Sequence, residues 1–272
     1  MGLAAKIART VAAGPPGLLA SFPQLKAPMT LNPQAPARTA PAPAAADGSP
    51  ARPIVRFDTV RENPRIKTLV RHSDECLAHI GYTEHGERHV ALVAHIAMNV
   101  LKRLGHPERD VELAGIAGYM HDIGNGVNRE GHAQIGAVMA MQLLIEMGMP
   151  DAEMAKVIAA IGNHHEIDGD PVNVVAAAVM LADKSDVHRT RVRNPDFIKF
   201  DIHDRVNYAV EKSFLNVDES QKSITLELTT DSAISQVMEY FEIFMTRMLA
   251  CRKAAMFLGC TFGLSVNGNR LT

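Results

Sequence analysis

The stretch "AGYMHDIGN" (residues 117–125) places His121 and Asp122 side by side at the end of an otherwise apolar run. Burying a charged carboxylate is unfavourable unless a partner group or a metal ion compensates its charge. Neighbouring residues inside a helix do not face one another, but both can serve one centre where the helix ends, as Gly124 and Gly126 indicate here. Because an aspartate has two oxygens, Asp122 can bridge two ions. The pair predicts a metal site.

On both sides of this stretch, apolar residues recur at three- and four-residue steps, with short Gly, Pro or Asp breaks. This periodicity is typical of amphipathic helices. The predicted helices cover residues 64–80, 84–104, 107–121, 132–147, 151–165 and 172–189. We therefore expect a mainly α fold, with a helical metal-binding domain at residues 53–195.

The C-terminal part, residues 196–272, has a different pattern and predicts a small α+β cap. The segment "SITLELTT" (223–230) alternates like a half-buried strand, residues 232–258 are periodic like a helix, and Asn267-Gly268 is a turn signal. The helix carries an apolar stripe, formed by Ile234, Val237, Met238, Phe241, Phe244, Met245 and Met248. We interpret this stripe as core, with a homodimer interface as the alternative.

Residues 1–52 are rich in alanine and proline and contain Asp47 as their single acid. Such a composition cannot supply a hydrophobic core. It predicts a disordered leader or a start-site artefact, and an organelle transit peptide is the alternative.

The bulk composition argues against several functional classes. The net charge of the 272 residues is -2, so no overall basic field favours nucleic acid or an anionic membrane. The three cysteines are odd in number and widely spaced, which fits neither a disulfide framework nor a cysteine-rich zinc site. No apolar run reaches the roughly 18 to 20 residues of a membrane-spanning helix. A cytoplasmic protein is the expectation.

Further histidines and an acid join the His-Asp pair. His89 is in helical register with Val93, Ile96 and Val100, so it points inward, and Asp183 interrupts an apolar stripe in the last predicted helix of the domain. His132 opens a helix, and His164 and His165 follow one in "GNHHEIDGD". Imidazoles and carboxylates gathered at helix ends form the mixed nitrogen and oxygen site that Zn, Mn or Fe ions favour.

These motifs resemble the HD-domain superfamily of metal-dependent phosphohydrolases over roughly residues 80–190. Their spacing is most similar to the HD-GYP branch, with "HDIG", His132 with Gly136, "HHEIDG" and the closing "AD". The resemblance implies a helical HD bundle that binds two divalent ions, for which Mn or Fe is preferred over Zn, Mg or Ni. The implied ligands are His85, His89, His121, Asp122, His132, His164, His165 and Asp183.

Three features depart from that branch. Asn125 stands where the family has a lysine, the loop from Asp122 to His132 is short, and "DGDP" replaces the GYP element. We therefore expect a small phosphorylated substrate, such as a nucleotide or a sugar phosphate, rather than a cyclic dinucleotide.

The predicted reaction is hydrolysis of a phosphoester, with Asp122 as the bridging group and Lys184 and Arg189 as further catalytic candidates. Negative phosphoryl oxygens need cations. The candidates for substrate binding are Lys184, Arg189, Arg191 and Arg193. Asp186 and Glu166 are candidates to orient a ligand imidazole.

Two other functions are compatible with the same residues. One is a mixed-valent di-iron oxygenase of the same superfamily, which would consume oxygen during turnover. The other is a non-catalytic module that senses a nucleotide, which would bind tightly without turnover.

Overall fold

The computed structural model describes residues 54–194 and 201–271, so the predicted leader at residues 1–52 lies outside the described residues. The mainly α fold class with a small C-terminal sheet is confirmed. The helices of the first part are α1 (Phe57–Arg61), α2 (Pro64–His79), α3 (Glu87–Arg103), α4 (Glu108–Met120), α5 (His132–Glu146), α6 (Asp151–Gly162) and α7 (Val174–Ser185). Short 3-10 helices cover Ile123–Gly126 and Arg189–Arg191.

The helix boundaries follow local chain chemistry. The Asn63 side chain accepts hydrogen bonds from the backbone N–H groups of Arg65 and Ile66, and Pro64 occupies the first position of α2. The Asn173 side chain caps α7 in the same way. The six predicted helices are confirmed, but α3 begins later than predicted, and α6 and α7 end earlier. As a result, His85 and His164 lie in loops next to helix ends.

Helices α3, α4 and α7 pack against one another at the centre of the domain. Every residue of α7 from Val175 to Ser185 is buried, as expected for a helix that is covered on all sides. A methyl group on Gly118 would lie 2.9 Å from Cα of Ala94, so the glycine permits close contact between α4 and α3. This contact places the C-terminal end of α4 beside the first turn of α3.

The C-terminal part contains α8 (Ile202–Ala209), β1 (Val210–Asp218), β2 (Ser223–Thr230), α9 (Val237–Phe257), β3 (Thr261–Val266) and β4 (Asn269–Arg270). The strands form one sheet in the order β1-β2-β3-β4, in which only the β2–β3 pair is parallel. The parallel pair is joined through α9, which packs on β3 and on α7. Ile224, Leu226 and Leu228 are buried, which confirms the alternation predicted for β2.

Two expectations for the C-terminal part need correction. The apolar stripe of α9 is not wholly core, because Met238 is 67% exposed and Met245 is 48% exposed. Phe244 and Met248 are buried as predicted. The other correction is an omission, since α8 and β1 were not predicted.

Among the described residues, no helix combines the length and the apolar character needed to cross a bilayer.

Candidate metal centre

The site lies where four helix ends meet. Helix α4 ends at Met120, so His121 and Asp122 occupy the turn that leads into the 3-10 helix. A methyl group on Gly124 would lie 2.0 Å from the carbonyl oxygen of His132. Only a glycine therefore allows this turn to contact the start of α5, and the contact brings Asp122 and His132 together.

One group of candidate ligands contains His89 from α3, His121 from the end of α4 and Asp183 from α7. Their ligand atoms lie within 4.8 Å of one another, and all three side chains are buried. The Nε2 atoms of His89 and His121 are 3.3 Å apart, and Oδ1 of Asp183 is 3.4 Å from Nε2 of His89. Two imidazole nitrogens and a carboxylate oxygen facing one point form a suitable set for a divalent transition metal.

A second group lies on the other side of Asp122. The Nε2 atoms of His132 and His164 are 3.2 Å apart, and they lie 3.6 Å and 3.7 Å from Oδ1 of Asp122. The other oxygen, Oδ2, lies 3.3 Å from Nε2 of His121 and 3.7 Å from Nε2 of His89. Each oxygen of Asp122 thus faces a different histidine pair.

Nδ1 of each of these histidines faces a hydrogen-bond acceptor, so Nε2 is the ring atom directed at the site, although Nε2 of His132 also lies 3.3 Å from Nη1 of Arg129. Nδ1 lies 2.7 to 2.9 Å from a backbone carbonyl oxygen in His121, His132 and His164. A carbonyl oxygen can only accept, so Nδ1 carries the proton and Nε2 keeps its lone pair. In His89, Nδ1 is 2.7 Å from Oδ2 of Asp186. This arrangement, with Nδ1 held by an acceptor, is the one that metal-binding histidines adopt.

The charge states of the buried groups are compatible with metal ligation. Burial by itself raises the pKa of Asp122, but the charge of His121 and hydrogen bonds with His121 and His164 hold that pKa well below the ordinary carboxyl value. Burial lowers the pKa of His132 to about 3. Metal ligands of these types must be an ionised carboxylate and a neutral imidazole, which are the favoured forms of Asp122 and His132. At His121 burial lowers the pKa, but the charges of Asp122 and Asp183 and a hydrogen bond with Asp122 together outweigh burial and raise it, so a metal ion would displace a proton from this ring.

His85 and His165 lie beside the two groups. The ring of His85 is 5.2 Å from that of His89, and the ring of His165 is 5.1 Å from that of His132. Both residues line the cavity at the site, but, like His132, neither joins a set of three ligand atoms within 4.8 Å in the described residues. His132 differs from them because its Nε2 lies 3.6 Å from Oδ1 of Asp122. Nδ1 of His85 contacts the carbonyl oxygen of Thr83, and Nδ1 of His165 contacts Asp168.

The four cations expected to bind substrate are held by acidic partners. Nζ of Lys184 lies 2.6 Å from Asp183 and 2.5 Å from Glu166. Arg191 is 2% exposed, and its Nη1 donates to the carbonyl oxygen of Asp186 at 2.8 Å.

The remaining two of these cations, Arg189 and Arg193, pair with Glu211 at 3.0 Å and with Asp74 at 2.5 Å. Lys184 and Arg191 line the cavity at the site, whereas Arg189 and Arg193 are not among its lining residues. The structure therefore does not bring Arg189 or Arg193 into this cavity.

Asp186 and Glu166 occupy supporting positions. Asp186 contacts His89 and also receives Nη2 of Arg88 at 2.8 Å. Burial raises the pKa of Glu166, but Lys184 and Arg247 outweigh this effect and bring it to about 2. The amide of Asn125, which stands in place of the family lysine, donates to Oδ1 of Asp122 at 2.8 Å.

Sequence reasoning missed two arginines at the site. Arg129 comes from the loop before α5, and its Nη1 donates to Oδ1 of Asn125 at 3.1 Å. Arg247 comes from α9, and its Nε lies 3.4 Å from Oε1 of Glu166. Arg129 could have been proposed from the segment "NREGH" (residues 128–132), because this cation precedes the proposed ligand His132 by three residues. No local signal marked Arg247, because α9 meets the site only in the folded chain.

The chain is similar in sequence to a family model and to known proteins. Residues 86–187 match the family model described as HD domain. An uncharacterized protein of Methanocaldococcus jannaschii is 26% identical over 212 residues, which cover 69% of this chain and 81% of that protein. Ribonuclease Y of Oceanobacillus iheyensis is 32% identical over 116 residues, or 42% of this chain, and the match spans 20% of ribonuclease Y.

A solved structure is also similar. The crystal structure of a predicted HD superfamily hydrolase from an uncultured Thermotogales bacterium is 25% identical, with a TM-score of 0.37, over 46% of this chain and 67% of that chain. The match supports the HD domain expected from the motifs for residues 86–187, and the candidate ligands His89, His121, Asp122, His132, His164 and Asp183 all lie inside that segment. The finer assignment to the HD-GYP branch stays a prediction.

Proposed function

We propose that the HD domain at residues 86–187 hydrolyses a phosphoester with two divalent metal ions. The observation that carries this proposal is the position of Asp122, whose two oxygens face two separate histidine pairs at 3.3 to 3.7 Å. Asp122 would therefore be the residue placed to hold both ions of a two-metal hydrolase centre. The donor set of four imidazoles and two carboxylates supports such a pair.

Two ions bound in this way supply Lewis acidity toward a phosphoryl oxygen and lower the pKa of a coordinated water toward neutrality. The protein contributes the orientation of the donors. Asp186 fixes the ring of His89, and Asn125 fixes the carboxylate of Asp122 through a 2.8 Å hydrogen bond. Lys184 neutralises part of the charge of Asp183 and Glu166, so these buried carboxylates keep their positions.

The preferred metals are Mn and Fe. Four of the six donors in the two groups are imidazole nitrogens, which suit these ions better than Mg, whose preferred ligands are oxygens. Zn and Ni also accept imidazole ligands. We expect activity with Mn or Fe to exceed activity with Mg.

The proposed substrate is a small phosphoester. The name ribonuclease Y indicates that this relative cleaves RNA, but the shared segment spans only 20% of it. RNA is therefore one member of the test panel. Against RNA as the main substrate, the net charge of this chain is -2, and no overall basic field attracts a polyanion.

The experiment is a turnover panel with and without oxygen, using each metal in turn. The panel contains an aryl phosphate, nucleoside monophosphates, cyclic di-GMP and a short RNA. We expect hydrolysis of a small phosphoester that does not depend on oxygen, and its loss in Asp122→Asn. Asp170→Asn is the matched control, because Asp170 is an exposed carboxylate outside the site. Turnover only in the presence of oxygen would replace the hydrolase by the di-iron oxygenase, and tight nucleotide binding without turnover would indicate the sensing module.

A further inference from the structure

The cations that are available to a substrate differ from those predicted from the sequence. Lys184, Arg191, Arg189 and Arg193 each contact a carboxylate or a backbone carbonyl, although Nε of Arg189 and Nη2 of Arg191 are buried without a hydrogen-bond partner in the described residues. In contrast, no carboxylate pairs with Arg129 within residues 54–194 and 201–271. Arg247 makes a single long contact through Nε, at 3.4 Å, with a Glu166 that Lys184 already neutralises at 2.5 Å.

An aromatic ring stacks against each of the two arginines, and Arg247 also keeps its contact with Glu166. The guanidinium carbon of Arg129 lies 5.1 Å from the centre of the Tyr82 ring, and that of Arg247 lies 4.5 Å from the centre of the Phe244 ring. Stacking of this kind orients the planar group without using its N–H donors. Nη1 of Arg129 is already engaged by Oδ1 of Asn125 at 3.1 Å and lies 3.3 Å from Nε2 of His132, so its remaining donors are the ones open to a ligand. Among the described residues, neither Nη atom of Arg247 has a hydrogen-bond partner.

The two side chains stand at the junction of two cavities. One cavity contains the candidate ligands Asp122, His132 and His164, and Arg129 and Arg247 line it. The other has a volume of about 330 Å³, and the same two arginines line it as well. A group bound between them would touch the metal centre on one side and the larger cavity on the other.

We propose that Arg129 and Arg247 form a clamp for the phosphoryl group of the substrate, with the organic part of the substrate in the 330 Å³ cavity. This inference rests on the proposed function and names the substrate class of the same site. Arginine suits the role because its fork of N–H donors matches phosphoryl oxygens in a bidentate manner. Arg247 lies outside residues 86–187, so the C-terminal helix takes part in substrate selection.

The wall of the larger cavity that α8 forms narrows the expected class of substrate. It contains Asp201, Asp204, His203 and Asn207, none of which lines the cavity that holds the candidate ligands. Oδ1 of Asp201 accepts from the backbone N–H groups of His203 and Asp204 at the start of α8. Carboxylates accept hydrogen bonds from hydroxyl and amino groups and repel a second phosphate. The expected substrate is therefore a phosphomonoester whose organic part carries hydroxyl or amino groups, as in a nucleoside monophosphate.

The clamp is tested with inorganic phosphate as the binding probe and an aryl phosphate as the kinetic probe. The metal-loaded variants are Arg129→Gln, Arg247→Gln and Arg247→Lys. Each Gln variant should weaken phosphate binding by about tenfold or more and raise KM more than it lowers kcat, with metal content unchanged. Arg247→Lys should recover part of this loss, because it keeps the charge but not the fork. Arg252→Gln is the matched control, an exposed arginine of the same helix, and should behave as the unmodified protein.

The outcomes separate the clamp from the proposed function. If the protein hydrolyses phosphoesters but Arg247→Gln binds phosphate with unchanged affinity and KM, the clamp is wrong and the hydrolase stands. If phosphate binding falls in the Gln variants but no phosphoester is hydrolysed, the clamp stands and the hydrolase is wrong. The substrate class is checked with a nucleoside monophosphate and its diphosphate, and a lower KM for the diphosphate would overturn the assignment of the cavity.

Discussion

Replacing Asp186 with asparagine should weaken both metal binding and folding. The Asp186 side chain is fully buried, with Oδ2 2.7 Å from Nδ1 of His89 and 2.8 Å from Nη2 of Arg88. It also lies 3.7 Å from Nε of Arg191, which is 2% exposed. An amide keeps the size of the carboxylate but loses its charge, and it places an N–H group against donors.

The size of the effect follows from these contacts. Loss of a carboxylate that orients a metal-binding histidine costs about 10- to 100-fold in metal affinity. Removing one partner of a buried ion pair costs about 3 to 5 kcal/mol in folding stability. We expect a value near 3 kcal/mol, because Arg88 has a side chain that is 36% exposed and can regain solvent. Arg191 cannot regain solvent in the same way.

The two effects are measured separately. Urea unfolding after treatment with a chelator measures the loss in the free energy of unfolding. A metal titration of the folded protein measures the loss in metal affinity. Glu211→Gln is the control, since Glu211 pairs with Arg189 at a surface position where the pair contributes at most about 1 kcal/mol. If Asp186→Asn loses no more stability than Glu211→Gln and binds metal normally, the assigned role of Asp186 is wrong.

Two further predictions concern the supports of the site. Gly124→Ala places a methyl group 2.0 Å from the carbonyl oxygen of His132, so it should lower the free energy of unfolding in urea by about 3 kcal/mol or more and reduce metal occupancy. Gly162→Ala is the control, because its methyl group meets its nearest atom at 3.6 Å. Equal stability of the two variants would contradict the packing argument. Glu166 has a pKa of about 2, below the ordinary value of 4.5, because Lys184 and Arg247 outweigh burial. Its stabilising contribution is therefore present above the ordinary value and is lost as the pH falls toward 2. In chelator-treated protein, the difference in unfolding free energy between the unmodified chain and Glu166→Gln should shrink as the pH falls from 4.5 to about 2, and a constant difference would refute the ion pair.

Much of the HD domain could be predicted because its signals are local. The helical periodicity placed α2 and α7 within a few residues of their observed ends. The placement of His121 and Asp122 followed from a polar pair at the end of a buried helix. These features depend on neighbours within one or two turns, which a sequence displays directly.

The missed features depend on contacts between distant residues. Arg247 and its partner Glu166 are 81 residues apart, and the stripe on α9 does not reveal which of its sides meets α7. The strand β1 has a register shift between Val210 and Lys212, which interrupts the alternation of buried and exposed residues. Pairing with β2 defines it as a strand, and that pairing is not readable from the segment itself.

The most direct test of the central claim is the number of metal ions bound per chain after purification without oxygen. The positions of Asp122 and the two histidine pairs predict two ions per chain, and Asp122→Ala should lose most of both. A single ion in the unmodified protein, or two ions retained in Asp122→Ala, would contradict the account.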